Sequence, residues 1–231
     1  MSRVLHQLLY LVRLLSVMAA FALPSLANAA TCSTAFCTLD LNSTIWVNNN
    51  TWGSESSPSG WWESITTNGS NSFRIDFNWP SGSNNNSVKA YPSAVLGWHW
   101  GWRFQGTGLP SQLSANRNIN TSYAYTASFG GGTGNVAYDI WLHTQSNPLY
   151  ETPSDEIMIW VNTTGGAGPI GGVIATVNID GATWRLHRGN IGWEVWSFIR
   201  TSNSGSGSLN IKNFTAALRR PTPCPNPPMR K

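Results

Sequence analysis

The sequence predicts an all-β protein built as an antiparallel sandwich, and three observations support this fold class. Short runs of apolar, β-favouring residues recur along the chain and are separated by Gly, Asn, Ser and Pro. No stretch before residue 208 has helical periodicity. Charged residues make up only 10% of the 231 residues, against roughly 25% in a typical soluble protein. Polar, turn-forming residues take their place, which suits an extracellular β protein.

Nine runs have the composition of strands, and we expect each of them to form one. They are Ile45–Val47, Ser72–Trp79, Val88–His99, Asn120–Ser128, Asn135–His143, Asp155–Val161, Val173–Ile179, Thr183–His187 and Trp193–Arg200. The one predicted helix is Leu209–Leu218, because Ile211, Phe214 and Leu218 recur on one face. The Pro-rich, basic segment Arg219–Lys231 cannot continue that helix, so we expect it to be a disordered tail.

The first 29 residues have the form of a secretory signal peptide. A short basic start containing Arg3 precedes the apolar run Leu8–Leu23, and Ala27-Asn28-Ala29 is a small-x-small cleavage site. The apolar run is short for a membrane span. We therefore expect a secreted, extracellular protein with no membrane partner, whose folded domain occupies residues 30–218.

The basic character of the chain belongs to its ends. Between Ala30 and Leu218, eight Lys and Arg stand against ten Asp and Glu. The domain therefore has no basic face of the kind that nucleic acids bind. Cys32 and Cys37 could close a small loop in an oxidising compartment, which leaves Cys224 unpaired. No Cys and His spacing suggests a metal site, and we expect neither a metal nor a cofactor.

The most informative run is Asp155–Val161, because its two faces differ in chemistry. Side chains alternate along a strand, so the faces are Ile157, Ile159 and Val161 on one side and Glu156, Met158 and Trp160 on the other. The first face is apolar core. The second combines a carboxylate with a thioether and an indole, a surface suited to holding a sugar ring against a reactive group.

Two further segments carry polar groups beside indoles. In the run Tyr138–Leu142, Asp139 and Trp141 share a face, and the Asp carboxyl could tune the pKa of a neighbouring catalytic carboxylate. An ordinary solvent-facing Asp is the alternative. Asn50 and Trp52 lie in a turn-like segment, where an amide and an indole could bind sugar hydroxyls and a sugar face together.

Six motifs in order resemble glycoside hydrolase family 12, the endo-β-1,4-glucanases (cellulases) that include xyloglucan-cleaving members. They are Asn49-Asn50-Thr51-Trp52-Gly53, Val88-Lys89-Ala90-Tyr91-Pro92, Gly97-Trp98-His99-Trp100-Gly101, Tyr138-Asp139-Ile140-Trp141, Glu156-Ile157-Met158-Ile159-Trp160 and Val195-Trp196-Ser197-Phe198-Ile199. The resemblance runs from about Ile45 to Leu218. It implies a β-jelly roll of two curved antiparallel sheets, with a concave cleft for a glucan chain. It also implies hydrolysis with retention of anomeric configuration through two Glu.

The resemblance also implies roles for individual residues. It implies that Glu156 is the nucleophile and that Asp139 is the family's Asp in contact with the nucleophile. The cleft residues that it implies are Asn50, Trp52, His99, Trp100, Met158 and Trp160. The expected partner is a β-1,4-glucan, which could be cellulose, mixed-linkage glucan or xyloglucan, and the expected state is a monomer.

The second Glu of the pair has no counterpart in the sequence. The resemblance places it on a late strand after the helix, and the segment after Leu218 contains no Asp or Glu. Glu194 is the one other Glu on a suitable strand, where it shares a face with Trp196 and Phe198. Three explanations stay open: a truncated or frameshifted chain, a variant that binds glucan without cutting it, or activity restored by Glu194 or by a substrate-assisted route. Loss of late strands would leave a sheet edge unpaired.

The sequence therefore supports more than one function. The first is a secreted endo-β-1,4-glucanase, with impaired activity if its acid/base is missing. The second is a non-catalytic β-glucan-binding module, and the third is a xyloglucan-specific endoglucanase. Family 11 xylanases share the jelly-roll shape, but the Glu156–Trp160 strand favours glucan over xylan.

Overall fold

The computed structural model describes residues 29–69, 71–81, 87–103 and 105–219. Two short 3-10 turns, Ser54–Ser56 and Leu113–Ala115, interrupt a fold made of strands and one helix. The elements are β1 (Thr31–Cys32), β2 (Thr38–Asp40), β3 (Ile45–Asn48), β4 (Trp62–Thr67), β5 (Phe73–Asn78), β6 (Ser93–Leu96), β7 (Trp98–His99), β8 (Trp102–Arg103), β9 (Asn120–Ala124), β10 (Gly134–Leu142), β11 (Asp155–Thr164), β12 (Gly172–Ile179), β13 (Ala182–Asn190), β14 (Glu194–Arg200), β15 (Ser206–Asn210) and α1 (Ile211–Arg219). The predicted all-β fold with one C-terminal helix is confirmed.

The predicted strands differ from the observed ones because one run is divided and because β1, β2, β4, β8 and β15 were not predicted. The run Val88–His99 is not one strand: β6 and β7 are separated at Gly97, which has a φ of 92° that favours glycine. Strand β4 was not predicted, because polar Glu63 and Thr67 flank Ile65 on its inward face. Strand β15 was not predicted either, because its Ser-Gly-Ser start has little β propensity. It forms by pairing with β9.

The first half of the described chain forms a small sandwich, which we call the N-terminal half. The sheet β2–β3–β6 packs against the sheet β1–β4–β5. Leu41, Val47 and Ile65 form the buried core between them, with Phe73 and Ile75 packed against it. The disulfide that the sequence suggested between Cys32 and Cys37 is present near the start of this half.

The second half is larger, and we call it the C-terminal half. Its sheet has the order β10–β11–β14–β13–β12 and packs against β15–β9 and α1. Ile157 and Ile159 of β11 meet Phe214 of α1 in this core, where the Phe214 ring lies 5.2 Å from Trp184 and 5.1 Å from Phe198. One pairing departs from the predicted antiparallel pattern: β11 and β14 run parallel.

An open cavity of about 3760 Å³ separates the two halves. Strands β6 and β10 are both at the edges of their sheets, and both line this cavity. Both faces of β10 line it, so the cavity passes around the unpaired edge of that strand. Among the described residues β10 pairs only with β11, so its other edge borders the cavity without a partner strand. Contacts between the halves include a hydrogen bond from Asn135 Nδ2 to Tyr91 Oη at 3.5 Å and the rings of Phe77 and Phe129, which lie 6.1 Å apart.

Two predicted segments fall almost wholly outside the described residues. Of the signal peptide only Ala29 is described, and of the basic tail only Arg219, which ends α1. Among the residues that the structure does describe, no helix has both the length and the apolar character needed to cross a membrane.

Candidate active site

Strand β11 presents two chemically different faces, as its sequence predicts. Ile157, Ile159 and Val161 belong to the core of the C-terminal half. Met158 and Trp160 belong to a separate buried cluster on the other side of the sheet. Glu156 shares that side by alternation, and we call this side the cleft face. The residue is only 7% exposed, so its carboxylate is not an ordinary surface group.

The register of β10 on β11 brings Asp139 to the cleft face beside Glu156. Trp141 pairs directly with Glu156, and Asp139 pairs with Met158. Paired residues in a ladder point to the same side of the sheet, so Asp139 and Trp141 share the Glu156 face. Asp139 is therefore the diagonal neighbour of Glu156 and hydrogen-bonds to it. This proximity is the arrangement that the resemblance implied.

Trp193 is a third partner of Glu156, and the sequence interpretation missed it. Its indole Nε1–H donates to Glu156 Oε2 at 2.7 Å. Burial raises the pKa of Glu156, while the hydrogen bonds from Trp193 and Asp139 lower it and partly offset the burial. Trp193 lies in the turn before β14, 37 residues from Glu156, and no local pattern links the two.

Asp139 holds its proton more tightly than an ordinary Asp. Burial, repulsion from Glu156 and a hydrogen bond to Glu156 together raise its pKa well above the usual range. Asp139 lines the cleft beside Glu156, and two carboxyl groups this close do not readily ionise together. The proton of the pair therefore lies on Asp139, which donates to an ionised Glu156.

Met158 and Trp160 lie beneath the cleft surface. They are 7% and 4% exposed, and the Trp160 indole N–H points at Met158 Sδ, 3.4 Å away. Val195 and Ile199 of β14 complete this cluster. The two side chains therefore support Glu156 from the adjacent positions of its own strand and offer little surface to a ligand.

A row of aromatic rings extends from Glu156 along the cleft. Trp193 meets Trp141 with 5.9 Å between ring centroids, and Trp141 meets Trp100 at 6.4 Å. Trp100 meets Trp98 at 6.0 Å, and Trp98 meets His143 at 4.9 Å. Trp100 is 42% exposed, so its ring is available to a ligand. Edge contacts between neighbouring rings hold each indole in place.

The remaining predicted cleft residues belong to the N-terminal half. Trp52 is 57% exposed and Asn50 is half-buried, and both line the cavity. Their turn is fixed by the Asn50 carbonyl, which accepts from Tyr91 N at 2.8 Å. His99 also lines the cavity, with its ring 6.2 Å from that of Trp46, and burial lowers its pKa. The predicted cleft residues thus come from both halves.

Glu194 does not reach the cleft face. Glu156 pairs with Val195 in the parallel ladder, so Glu194 points to the opposite side with Trp196. There it forms an ion pair with Arg188 at 2.7 Å and accepts from Asn190 Nδ2 at 2.9 Å. These partners lower its pKa. The suggestion that Glu194 supplies the missing acid is therefore wrong.

The chain's ten carboxylates all lie in the described ranges. Only Glu63, Asp139 and Glu156 line the cavity. Glu63 lies on β4 in the N-terminal half and accepts from Trp79 Nε1 at 3.1 Å. Of these carboxyl groups, only that of Asp139 is in contact with Glu156. In the described residues no three His, Cys, Asp or Glu side chains come together in a group that could hold a metal ion.

Comparisons with known proteins identify the family of this chain. A family model described as Glycosyl hydrolase family 12 matches residues 43–226. Endoglucanase S of Pectobacterium parmentieri is 42% identical over 185 residues, which cover 77% of this chain and 68% of that protein. The xyloglucan-specific endo-beta-1,4-glucanase A of Emericella nidulans is 35% identical over 210 residues, which cover 84% of this chain and 80% of that protein.

Solved structures show the same relationship. The native family 12 xyloglucanase from Bacillus licheniformis is 42% identical with a TM-score of 0.76, covering 82% of this chain and 83% of that one. Endoglucanase 3 of Trichoderma harzianum, also from this family, is 27% identical with a TM-score of 0.74, covering 86% and 84%. The expected jelly-roll fold is thereby confirmed. The chain therefore belongs to glycosyl hydrolase family 12 and is a glycoside hydrolase that acts on β-1,4-glucans.

Proposed function

We propose that the protein is a secreted endo-β-1,4-glucanase that uses a retaining mechanism with Glu156 as its nucleophile. The observation that carries this proposal is the state of Glu156. Its carboxylate lies on the cleft face and accepts a hydrogen bond from Trp193 at 2.7 Å, and the hydrogen bonds from Trp193 and Asp139 favour its ionised form against the effect of burial. A desolvated, oriented carboxylate beside exposed indoles is suited to attack on a sugar held in the cleft.

The first chemical step follows from this geometry. One Glu156 oxygen forms a bond to the anomeric carbon, and the bond from that carbon to the leaving oxygen breaks with its electron pair. In a natural glucan that oxygen requires a proton. Asp139 is the only carboxyl group in contact with Glu156, and its proton is engaged in that contact. Loss of general acid catalysis typically costs about 10²–10⁴-fold in rate, so natural glucans should be cut slowly.

An activated substrate separates nucleophilic attack from proton transfer. We expect 2,4-dinitrophenyl 2-deoxy-2-fluoro-β-cellobioside to label the protein, because dinitrophenolate leaves without protonation. Intact-mass analysis and peptide mapping should find one fluorocellobiosyl group on Glu156. Glu156→Gln should prevent labelling, whereas Glu194→Gln is a matched control on the opposite face and should label normally. A folded wild-type sample that stays unlabelled would overturn the nucleophile assignment.

Azide gives a second measure of the retaining route. With 2,4-dinitrophenyl β-cellobioside, azide should attack the anomeric carbon of the glycosyl-enzyme, release Glu156 and form β-cellobiosyl azide. Because azide needs no general base, it should accelerate turnover where water is slow. An α-azide product, detected by NMR, would contradict retention.

A non-catalytic glucan-binding role is the second candidate, favoured by the single carboxylate that contacts Glu156. Calorimetric titration with cellohexaose and with a xyloglucan heptasaccharide should be run on wild type and Glu156→Gln. Equal binding by both, with no labelling of wild type, would support binding alone. The xyloglucan arm is included because relatives from Emericella nidulans and Bacillus licheniformis are named for that substrate.

Secretion rests on the N-terminal sequence. We expect protein recovered from culture medium to begin at Ala30, after cleavage at Ala27-Asn28-Ala29. N-terminal sequencing of that protein tests this directly. Retention in the cell with Met1 intact would contradict it.

A further inference from the structure

We propose that Trp193 is a positioning residue for Glu156, which sets both the direction and the acidity of its carboxylate. The inference rests on the proposed nucleophilic role of Glu156. It starts from the 2.7 Å hydrogen bond between Trp193 Nε1 and Glu156 Oε2.

The backbone around Trp193 is built to hold its indole in place. Gly192 N donates to Asn190 Oδ1 at 3.0 Å, and Ile191 N donates to the Trp193 carbonyl at 3.1 Å. Gly192 has a φ of 104°, a conformation that favours glycine, so the turn into β14 is tightly specified. The next residue, Glu194, donates its N–H to the Ser154 carbonyl beside β11 at 3.2 Å. The turn is therefore tied to the nucleophile strand itself.

The ring of Trp193 is held from a second direction. Trp141, the residue paired with Glu156 across the β10–β11 ladder, meets it with ring planes inclined at 62°. An edge contact of this kind restricts rotation of both indoles. Trp193 is half-buried, which limits the access of water that would compete with Glu156 for its N–H.

An indole N–H has the chemistry that this position requires. It donates but cannot accept, and it carries no charge at any ordinary pH. It therefore stabilises the ionised form of Glu156 without the ion pair that Arg or Lys would form, which would weaken the carboxylate as a nucleophile. The burial that raises the pKa of Glu156 is offset chiefly by this bond, ahead of the one from Asp139.

The pH dependence of labelling tests this role. Trp193→Phe keeps an aromatic ring and removes the N–H. With the fluorocellobioside reagent, which needs no general acid, the acid limb of the labelling rate reports ionisation of the hydrogen-bonded pair Glu156 and Asp139. We expect Trp193→Phe to move that limb upward by about one pH unit, and so to slow labelling about tenfold below the limb.

Trp196→Phe is the matched control. Its indole N–H donates to Asp155 Oδ1 at 2.9 Å on the opposite face of the same two strands. Its substitution removes an equivalent indole–carboxylate bond and should leave the acid limb in place. If both variants shift the limb equally, or Trp193→Phe leaves it unmoved, the proposal fails. A residue that only stacks on sugar would weaken reagent binding without moving the limb.

Two further measurements keep the outcome decisive. If Trp193→Phe does not fold, benzothienylalanine at position 193 replaces the N–H by sulfur in a ring of the same shape, and the same shift is expected. An unshifted limb in that folded variant overturns the proposal. Wild-type protein that labels on Glu156 upholds the proposed function in either case, so failure of this inference is distinguishable from failure of the nucleophile assignment.

Discussion

Glu63 provides the sharpest test of the physical reasoning, because its protonation should control the stability of the N-terminal half. The residue is 2% exposed and points inward from β4 with Ile65. Its Oε2 accepts from Trp79 Nε1 at 3.1 Å, and among the described residues Oε1 has no hydrogen-bond partner. Burial raises the pKa of Glu63 from 4.5 to about 7, and the Trp79 hydrogen bond only partly opposes this.

The sign of the pH effect follows from linkage. The folded state binds the Glu63 proton more tightly than the unfolded state does, so the free energy of unfolding falls as pH rises from about 4.5 to about 7. Each pKa unit is worth about 1.4 kcal/mol, so the full shift would cost about 3 kcal/mol above pH 7. Glu63 borders the cavity, so water that enters from it when the carboxylate ionises would reduce this cost. We therefore expect a loss of about 2 kcal/mol.

Glu63→Gln should remove this dependence, because the amide resembles the protonated acid in shape. Urea unfolding followed by tryptophan fluorescence at pH 4.5, 6 and 8 measures it. The variant should match wild type at pH 4.5 and exceed it by about 2 kcal/mol at pH 8. Glu55→Gln, at an exposed site in the neighbouring 3-10 turn, is the control and should show no such trend. A wild-type to Glu63→Gln difference that is the same at all three pH values would refute the reasoning.

Three other perturbations follow from the structure. Asp139→Ala removes a hydrogen bond that lowers the pKa of Glu156, so the acid limb of labelling should move to higher pH, as a rate profile would show. Gly53→Ala would place a methyl group against the Val88 carbonyl oxygen, and urea unfolding should show a loss of about 2 kcal/mol or more. Leu96→Lys puts a charge at the exposed end of the unpaired β6 edge, so light scattering should show less self-association than wild type.

The sequence predicts the faces of strands well, because alternation is a local property of the backbone. Glu156, Met158 and Asp139 lie on the expected side for that reason alone. Depth is not local. Trp160 was predicted to contact sugar in the cleft. Ile199 of β14 helps to cover it and leaves it 4% exposed.

The sequence alone does not predict which distant strands pair or in which register. The grouping of Glu194 with Trp196 and Phe198 was correct as a face, but the ladder pairs Val195 with Glu156, which turns that face away from the cleft. Trp193 was missed for the same kind of reason, since its contact depends on the turn before β14 meeting the start of β11. A one-residue change in that register would exchange the roles of the two faces.

The unpaired edge of β10 determines where a proton donor for this chemistry has to come from. Strands in a sheet lie about 4.8 Å apart, so a strand added at that edge would lie about 9.6 Å from β11. Side chains that lean together from those two strands can reach the separation of about 5–5.5 Å that retaining hydrolysis requires. Asp139 lies on the strand between, where its hydrogen bond to Glu156 places it too close to leave room for the scissile bond. A group on a strand added at the β10 edge would therefore be placed to protonate the leaving oxygen, and the cavity lies along that edge.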